Sequence, residues 1–371
     1  MKYRALGICV LAFALLVGIP ALQLVPVHGA AHPEAANMQA AAKYLDDREI
    51  WWQNWPRAQK DQGTVCVSCH TQLPYAMARP ILQHQLHEST MTPANKVMMD
   101  SVEKRVINWL EMIPFYSDEK SGPGKTAEAH ATESLLNAVI LATYDTEQGH
   151  LRPITRTAFD NTWALQQQNG PIAGAWIWQN FHLGPWEGEE SGYQCAALLM
   201  ATVLNAPDGY SREPAVEGHL DRLRGYLRRE YATQPVLNQL YVLWASARQP
   251  ELLTPAERKS LLATLQEQQQ ADGGWNTTNM DERDRKDDSP EPTESDGYAT
   301  GISVLAMEQA GVSRHDPILV RGVNWLVTHQ QQDGSWSALS INKKRDPGSD
   351  PALFMQDAAT AYAVVALDRR K

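Results

Sequence analysis

Along this chain a polar-faced amphipathic segment alternates with a segment of small and apolar residues, and the pair recurs. The clearest unit has Arg321-Gly322, Trp325-Leu326, Gln330, Gly334 and Trp336, followed by a small-residue helix over residues 357–367. A weaker copy has Leu265, Gln269, Gly273 and Trp275, then Ser295, Asp296, Gly297 and Tyr298 opening a helix through Ala299, Gly301, Ser303 and Ala306. A third has Trp163, Gln168, Gly174 and Trp176, then Ser191, Gly192 and Tyr193 leading into Cys195, Ala196 and Ala197. Two worn copies keep Arg105 with Trp109-Leu110 before a helix starting near Thr132, and Arg222 with Tyr226-Leu227 before a helix over residues 238–247. A further copy at the N-terminus would use Tyr44-Leu45, the cluster Trp51, Trp52 and Trp55, and an inner helix over residues 73–82. One polar face suits a helix with solvent on one side, and small residues suit a helix enclosed by its neighbours. The pattern therefore predicts outer and inner layers of helices, and six such hairpins would close a ring.

The run Arg-Gly-x-x-Trp-Leu-x-x-x-Gln-x-x-x-Gly-x-Trp at residues 321–336 resembles the QW motif of squalene and hopene cyclases. The paired helices resemble the wider terpenoid cyclase and protein prenyltransferase superfamily. The resemblance spans residues 101–371 and implies an all-α fold, an α/α toroid of about six hairpins whose concentric rings enclose a central cavity. A hydrophobic or isoprenoid-like ligand in that cavity is implied with it. Hopene cyclases start cyclisation with the central Asp of a DxDD motif, which is absent here. Residues 284–288 read Asp-Arg-Lys-Asp-Asp, inside a charged, Pro-bearing stretch over 276–292 that reads as a solvated insertion. Protonation-driven cyclisation is thus not expected. Prenyltransferases of the superfamily bind zinc through an Asp, a Cys and a His, but Cys195 sits among alanines, as a packing cysteine does.

Lys2 and Arg4 precede an apolar run over residues 5–17, with Gly18 and Pro20 behind it and small residues at Gly29, Ala30 and Ala31. This is the pattern of an export signal over residues 1–31, cleaved near Ala31. The apolar stretch continues to Val25, about 20 residues, so an uncleaved anchor is the alternative. Either places the body outside the cytoplasm, in the periplasm or beyond. Removing residues 1–31 takes away two positive charges and no negative one, so the net charge of -10 becomes -12. With 43 acidic against 33 basic residues and no Lys/Arg stripe, nucleic acid is not an expected partner. Twelve Trp and twelve Tyr stand against five Phe, a choice of rings whose polar atoms need partners when buried.

Cys9 leaves with the signal, and Cys66, Cys69 and Cys195 remain, an odd number that argues against a simple disulfide framework. Residues 66–70 read Cys-Val-Ser-Cys-His, the CxxCH pattern of c-type haem attachment. Two thiols at this spacing add to the two vinyl groups of one porphyrin, and the adjoining imidazole ligates the iron. Cys66 and Cys69 are therefore the candidate haem c attachment residues and His70 the proximal iron ligand. A redox-active CxxC pair and half of a zinc site are the other readings of the same residues. Residues 32–100 would form the haem-binding segment, integrated as the first hairpin and not a separate cytochrome domain, because roughly 70 residues leave little room for a core of their own. The haem motif then stands where other repeats start an inner helix, at the mouth of the cavity.

Met77 lies two helical turns from His70 on the same face and cannot approach the iron from the other side. His130, just before Thr132, is the candidate distal ligand, with His182, His84, His87 and Met91 behind it. Glu133, Glu189, Glu190, Glu294, Asp296 and Asp357 stand near inner-helix starts, where capping and the helix dipole account for most acidic residues without catalysis. Residues 176–186, with Trp178, Phe181 and His182, form a candidate aromatic wall. The sequence thus predicts an exported c-type haem protein on a squalene cyclase-like toroid. Its expected role is electron transfer with a periplasmic redox partner, or haem-dependent oxidation of a hydrophobic ligand. A redox-silent toroid, either a divergent cyclase or a module binding lipid or protein, is the alternative.

Overall fold

Helices buried on every side alternate along the chain with helices that bury a single stripe. The computed structural model describes residues 35–112, 122–281 and 283–368; the export signal expected over residues 1–31 lies outside them. The order is α1 (Met38–Asn54), a short ribbon of β1 (Gln59–Lys60) and β2 (Thr64–Val65), α2 (Gln72–Gln85), α3 (Pro93–Ile107), α4 (Gly122–Gln148), α5 (Pro153–Ala164), α6 (Ser191–Asn205) and α7 (Pro214–Glu230). It continues through α8 (Val236–Ala245), α9 (Pro255–Gln268), the short α10 (Thr277–Asp281), α11 (Gly297–Gln309), α12 (Pro317–Thr328) and α13 (Asp350–Ala366). In α11 every residue from 297 to 307 is buried, whereas α12 buries Leu319, Gly322, Trp325 and Leu326, one face of its cylinder. Helices α2, α4, α6, α8, α11 and α13 touch in that order, and α13 returns to α2, closing an inner ring. Each outer helix packs on the inner helix that precedes it, so α1 packs on α13. The result is an all-α toroid of six hairpins. Among the described residues no helix is long and apolar enough to cross a membrane.

Five of the six outer helices, α3, α5, α7, α9 and α12, open with proline, which loses no helical hydrogen bond at that position. Two inner helices begin earlier than the small-residue pattern predicts. Helix α4 starts at Gly122 and not near Thr132, and α13 starts at Asp350, seven residues before Asp357. The pattern marks the part of a helix enclosed on all sides, whereas the extra turns are only partly buried, through Gly122, Ala129 and Ala131 in α4 and Met355 in α13. The charged stretch over 276–292 is likewise not solvated throughout. Asn276, Thr277, Met280 and Asp281 are buried, and α10 packs on α8 and α11.

The three QW-type repeats use one device. The indole N–H of Trp176, Trp275 and Trp336 donates to a carbonyl in the last turn of its own outer helix, Thr162, Leu265 and Leu326 respectively, at 2.7–2.8 Å. The glutamine crosses to the next outer helix. Gln269 Nε2 donates to the Ile318 carbonyl, and Gln330 Nε2 to that of Asn37, which caps α1. In the third repeat the glutamine is Gln166 and not the Gln168 expected from the alignment of repeats; it donates to the His219 carbonyl of α7. Gln166 keeps the spacing of Gln269 and Gln330, four residues after the carbonyl that the indole bonds, and the four extra residues of this loop lie between Gln166 and Gly174. Trp and Gln therefore act separately, the one tying a helix to its own loop and the other stitching neighbours together.

A glycine completes each unit with φ between 92° and 96°: Gly174, Gly273 and Gly334. A Cβ at Gly273 would lie 2.9 Å from the Arg321 carbonyl, and one at Gly334 would collide with the Ala40 backbone in α1. Only glycine offers both the left-handed conformation and that approach. Gly334→Ala should lower stability by about 3 kcal/mol or more, because it adds a backbone collision to the strain. Gly348→Ala, at φ 78° with open space around its Cβ, should cost about 1 kcal/mol. Thermal denaturation of the two variants measures the difference, and equal losses would disprove the close approach.

Glu49 on α1 is wholly buried against α2. Its Oε1 accepts from Gln53 Nε2 at 2.9 Å and Gln72 Nε2 at 2.8 Å, and its Oε2 has no partner. Burial pushes this carboxyl up to about 8 from 4.5. A carboxyl raised on folding contributes stability that is complete below its unfolded pKa and lost as pH rises through its folded one. Melting temperature should therefore fall between about pH 5 and pH 9. Glu49→Gln, which keeps the shape without the charge, should flatten that slope and melt several degrees above the parent near pH 9. A slope unchanged in the variant would show that Glu49 is not its source.

Candidate functional site

The segment carrying Cys66–His70 is pinned before α2 begins. The Cys66 N–H donates to the Ala58 carbonyl at 2.7 Å, and Trp52 Nε1 on α1 donates to the Cys66 carbonyl at 2.8 Å. Ser68 Oγ accepts from the Gln72 N–H at 3.0 Å and so caps the first turn of α2. These bonds deliver His70 to the rim of the inner ring.

A chain of hydrogen bonds then fixes the imidazole. Thr71 Oγ1 donates its one proton to Asp357 Oδ2 at 2.9 Å, so at 2.9 Å from His70 Nδ1 it must accept from that nitrogen. Asp357 on α13 also accepts from Tyr44 Oη at 3.0 Å and from Arg48 Nε and Nη2 at 2.7 and 3.0 Å. Burial, with the Arg48 charge adding to it, lowers the His70 pKa to about 3. The ring is therefore neutral, protonated on Nδ1, and carries its free lone pair on Nε2, the arrangement typical of metal-ligating histidine.

His70 lines a cavity of about 440 Å³ with Trp55, Trp186 and Phe354 in its walls. Phe354 stacks on the imidazole at 3.9 Å, and Trp52 and Trp186 lie 5.2 and 6.0 Å away. Trp186 continues at 5.3 Å to Tyr298, whose hydroxyl meets that of Tyr241 at 3.0 Å, and Tyr241 reaches Tyr362 at 2.6 Å. These three tyrosines, from α11, α8 and α13, are buried and fill the ring interior between their helices. The open space thus lies at the rim. Its roof is a loop over residues 181–187, held to the opposite loop by Asn342, which bonds both the N–H and the carbonyl of Gly184 at 2.8 and 2.5 Å.

Cys66 is half-buried beside Trp52, Trp55 and Phe354, while Cys69 is buried in the core; both are free thiols. Burial pushes the Cys66 thiol up to about 11 and Cys69 well above its ordinary value. Catalytic CxxC cysteines have depressed pKa values, so these protonated thiols lack the nucleophilicity of a dithiol oxidoreductase. Among the described residues no three His, Cys, Asp or Glu side chains converge to hold a metal ion, so a zinc reading lacks its ligands. A haem c asks the chain for two thiols and an axial ligand, and these residue types are present: two free thiols, neither of which lines the His70 cavity, and an imidazole with a bare Nε2 that does.

The other sequence candidates fall elsewhere. His130 stacks on Trp109 at 4.0 Å and does not line the His70 cavity, so it packs the α3–α4 hairpin where a distal ligand was expected. His84 lies in the last turn of α2, at the end away from His70, with His87 and Met91 beyond it. Met77 lines a different pocket, and His182 is exposed, 3.7 Å from Glu189, in a polar groove. Glu133 is bonded by both Arg105 Nε and Nη2, Glu190 pairs with Arg283, and Asp296 caps α11. Cys195 is buried on α6. Of the proposed aromatic wall only Trp186 faces the cavity. Trp176 is the QW indole, Trp178 donates to the Trp186 carbonyl, and Phe181 receives Lys125 over its ring at 4.9 Å. Met355 and Arg345 also line the cavity, and no sequence motif marks either.

Residues 229–367 match the family described as squalene-hopene cyclase C-terminal domain. No curated protein matches the chain. Among solved structures, a possible member of the GH105 family from Klebsiella pneumoniae is similar with 13% identity and a TM-score of 0.49, covering 98% of each chain. A second possible GH105 member, from Salmonella enterica, has 13% identity and a TM-score of 0.47, covering 96% of this chain and 98% of that one. With its closed double ring and the cyclase match from the end of α7 through α13, the chain carries a squalene cyclase-like α/α toroid.

Proposed function

We propose that this protein is an exported haem c carrier, in which Cys66 and Cys69 hold the porphyrin and His70 ligates its iron at the toroid rim. The observation that carries the reading is the joining of a CxxCH sequence to an aromatic cavity through an imidazole whose Nδ1 is already engaged. Cys66 and Cys69 would hold the group by thioether bonds, each thiol adding its sulfur to one carbon of a vinyl group and its proton to the other, with nothing oxidised or reduced. Their raised pKa values keep that proton in place until attachment. Thr71 and Asp357 hold the His70 ring in one tautomer and one orientation. Trp55, Trp186 and Phe354 exclude water and offer flat apolar faces. Bound haem supplies a one-electron iron centre. The chain around it serves either electron exchange with a periplasmic redox partner or oxidation of a hydrophobic molecule in the same cavity.

The test is expression with and without the cytochrome c maturation machinery. The matured chain should show a Soret band, a pyridine haemochrome and the mass of one haem, and Cys66→Ala/Cys69→Ala should lose the covalent mass entirely. A colourless matured chain of unmodified mass would leave the redox-silent toroid as the reading.

A further inference from the structure

Every other arginine that is buried or half-buried around the rim has found an acceptor. Arg48 bonds Asp357, Arg105 bonds Glu133, Arg283 pairs with Glu190 and Asp281, and Arg285 donates to the Ser340 carbonyl. Arg345 has not. It lines the His70 cavity, it makes no ion pair among the described residues, and its Nε is buried without a hydrogen-bond partner. Arg345 is half-buried, so its guanidinium stands at the cavity with that one nitrogen enclosed and its charge unanswered by any acid among the described residues.

Arg57 lines the same cavity and is likewise unpaired among the described residues; its guanidinium lies 5.9 Å from the Trp55 ring. The position of Arg345 is built, not incidental. Its loop is fixed by the Asn342 bonds to Gly184 and by the Lys344 N–H donating to Asp287 Oδ2 at 2.9 Å. Asp350 and Glu187 also line the cavity, without reaching either guanidinium. Burial pushes the Glu187 carboxyl up to about 7, so near neutrality it carries less than a full charge. The cavity therefore combines aromatic walls, one imidazole lone pair and two unanswered cations, which suits a flat apolar body bearing carboxylates.

Resting on the haem reading above, we infer that Arg57 and Arg345 form a clamp for the two propionate carboxylates of the porphyrin. The chemistry of the group supports the assignment. Its vinyl groups, to which the thiols add, lie on the edge opposite its propionates, so a chain holding the first edge by Cys66 and Cys69 needs cations for the second. Guanidinium meets carboxylate through two parallel N–H bonds, which fixes orientation as well as affinity.

The experiment uses the full chain made without maturation machinery, titrated with protoporphyrin IX and with its dimethyl ester, and read by quenching of tryptophan fluorescence. The acid should bind about tenfold or more tightly than the ester, and Arg57→Gln/Arg345→Gln should bring the ratio close to one. Lys343→Gln, in the same loop, should leave the ratio unchanged. Equal binding of acid and ester to the parent chain, or no binding of either, overturns the clamp. Matured Arg57→Gln/Arg345→Gln should still gain the mass of one haem. Covalent haem in the matured parent together with equal binding of acid and ester would therefore remove the clamp alone, whereas a matured parent without haem removes the reading beneath it.

Discussion

Asp357 accepts four hydrogen bonds inside the protein: two from Arg48, one from Tyr44 and one from Thr71. Its donors come from α1 and from the residue before α2, while the carboxylate itself stands on α13, the last helix of the ring. The same group therefore joins the first hairpin to the sixth and sets the tautomer of His70. A buried anion is costly unless its lone pairs are answered, and here Arg48 supplies the charge and two hydroxyls supply the rest. The ring cannot open at this seam without stranding Asp357 or Arg48. His70 cannot turn freely without breaking the Thr71 bond. Closure of the fold and preparation of the site are one structural event.

The outer layer closes by a different means at the same seam. Gln330, at the end of α12, exchanges bonds with both the N–H and the carbonyl of Asn37, and Gly334 lies against the α1 backbone. The repeats at Gln166 and Gln269 make the equivalent stitch inside the chain. The seam thus carries two sets of bonds, an ion pair from outer helix α1 to inner helix α13, and amide bonds with a glycine approach between the end of α12 and α1. The N-terminal hairpin that bears Cys66 and Cys69 is clamped on both layers, so the CxxCH segment borrows the core of the whole toroid.

The sequence carried the repeat count and the hairpin architecture, because QW spacing and small-residue periodicity are local properties written into each unit. It carried the CxxCH residues for the same reason. What it could not carry were contacts between distant positions. Thr71 meets Asp357 across 286 residues, and Asp357 reads in sequence as one more acidic residue near a helix start. Arg345 sits in a loop whose composition looks merely charged. For His130, adjacency to an inner-helix start says nothing of which side of the helix its ring occupies; the ring stacks on Trp109. The Gln168 register failed because Trp163 does not occupy the place of Trp325: Gln166, like Gln269 and Gln330, stands four residues after the carbonyl that the indole bonds.

The acid–base states around the rim favour attachment chemistry over exchange chemistry. A dithiol that trades disulfides needs a thiolate, and its surroundings would have to lower the cysteine pKa; here burial raises both thiols, and among the described residues no cation bonds to either. The adjoining imidazole is driven the other way, to about 3, which removes the general base that would otherwise draw a proton from sulfur. Protonated thiols beside a neutral, oriented imidazole are poorly suited to redox cycling on their own. They are well suited to a group that takes S–H across a double bond and a nitrogen lone pair at a metal. On the haem reading, the guanidinium of Arg345 in the same cavity, unpaired among the described residues, suits a group that is acidic at its far edge.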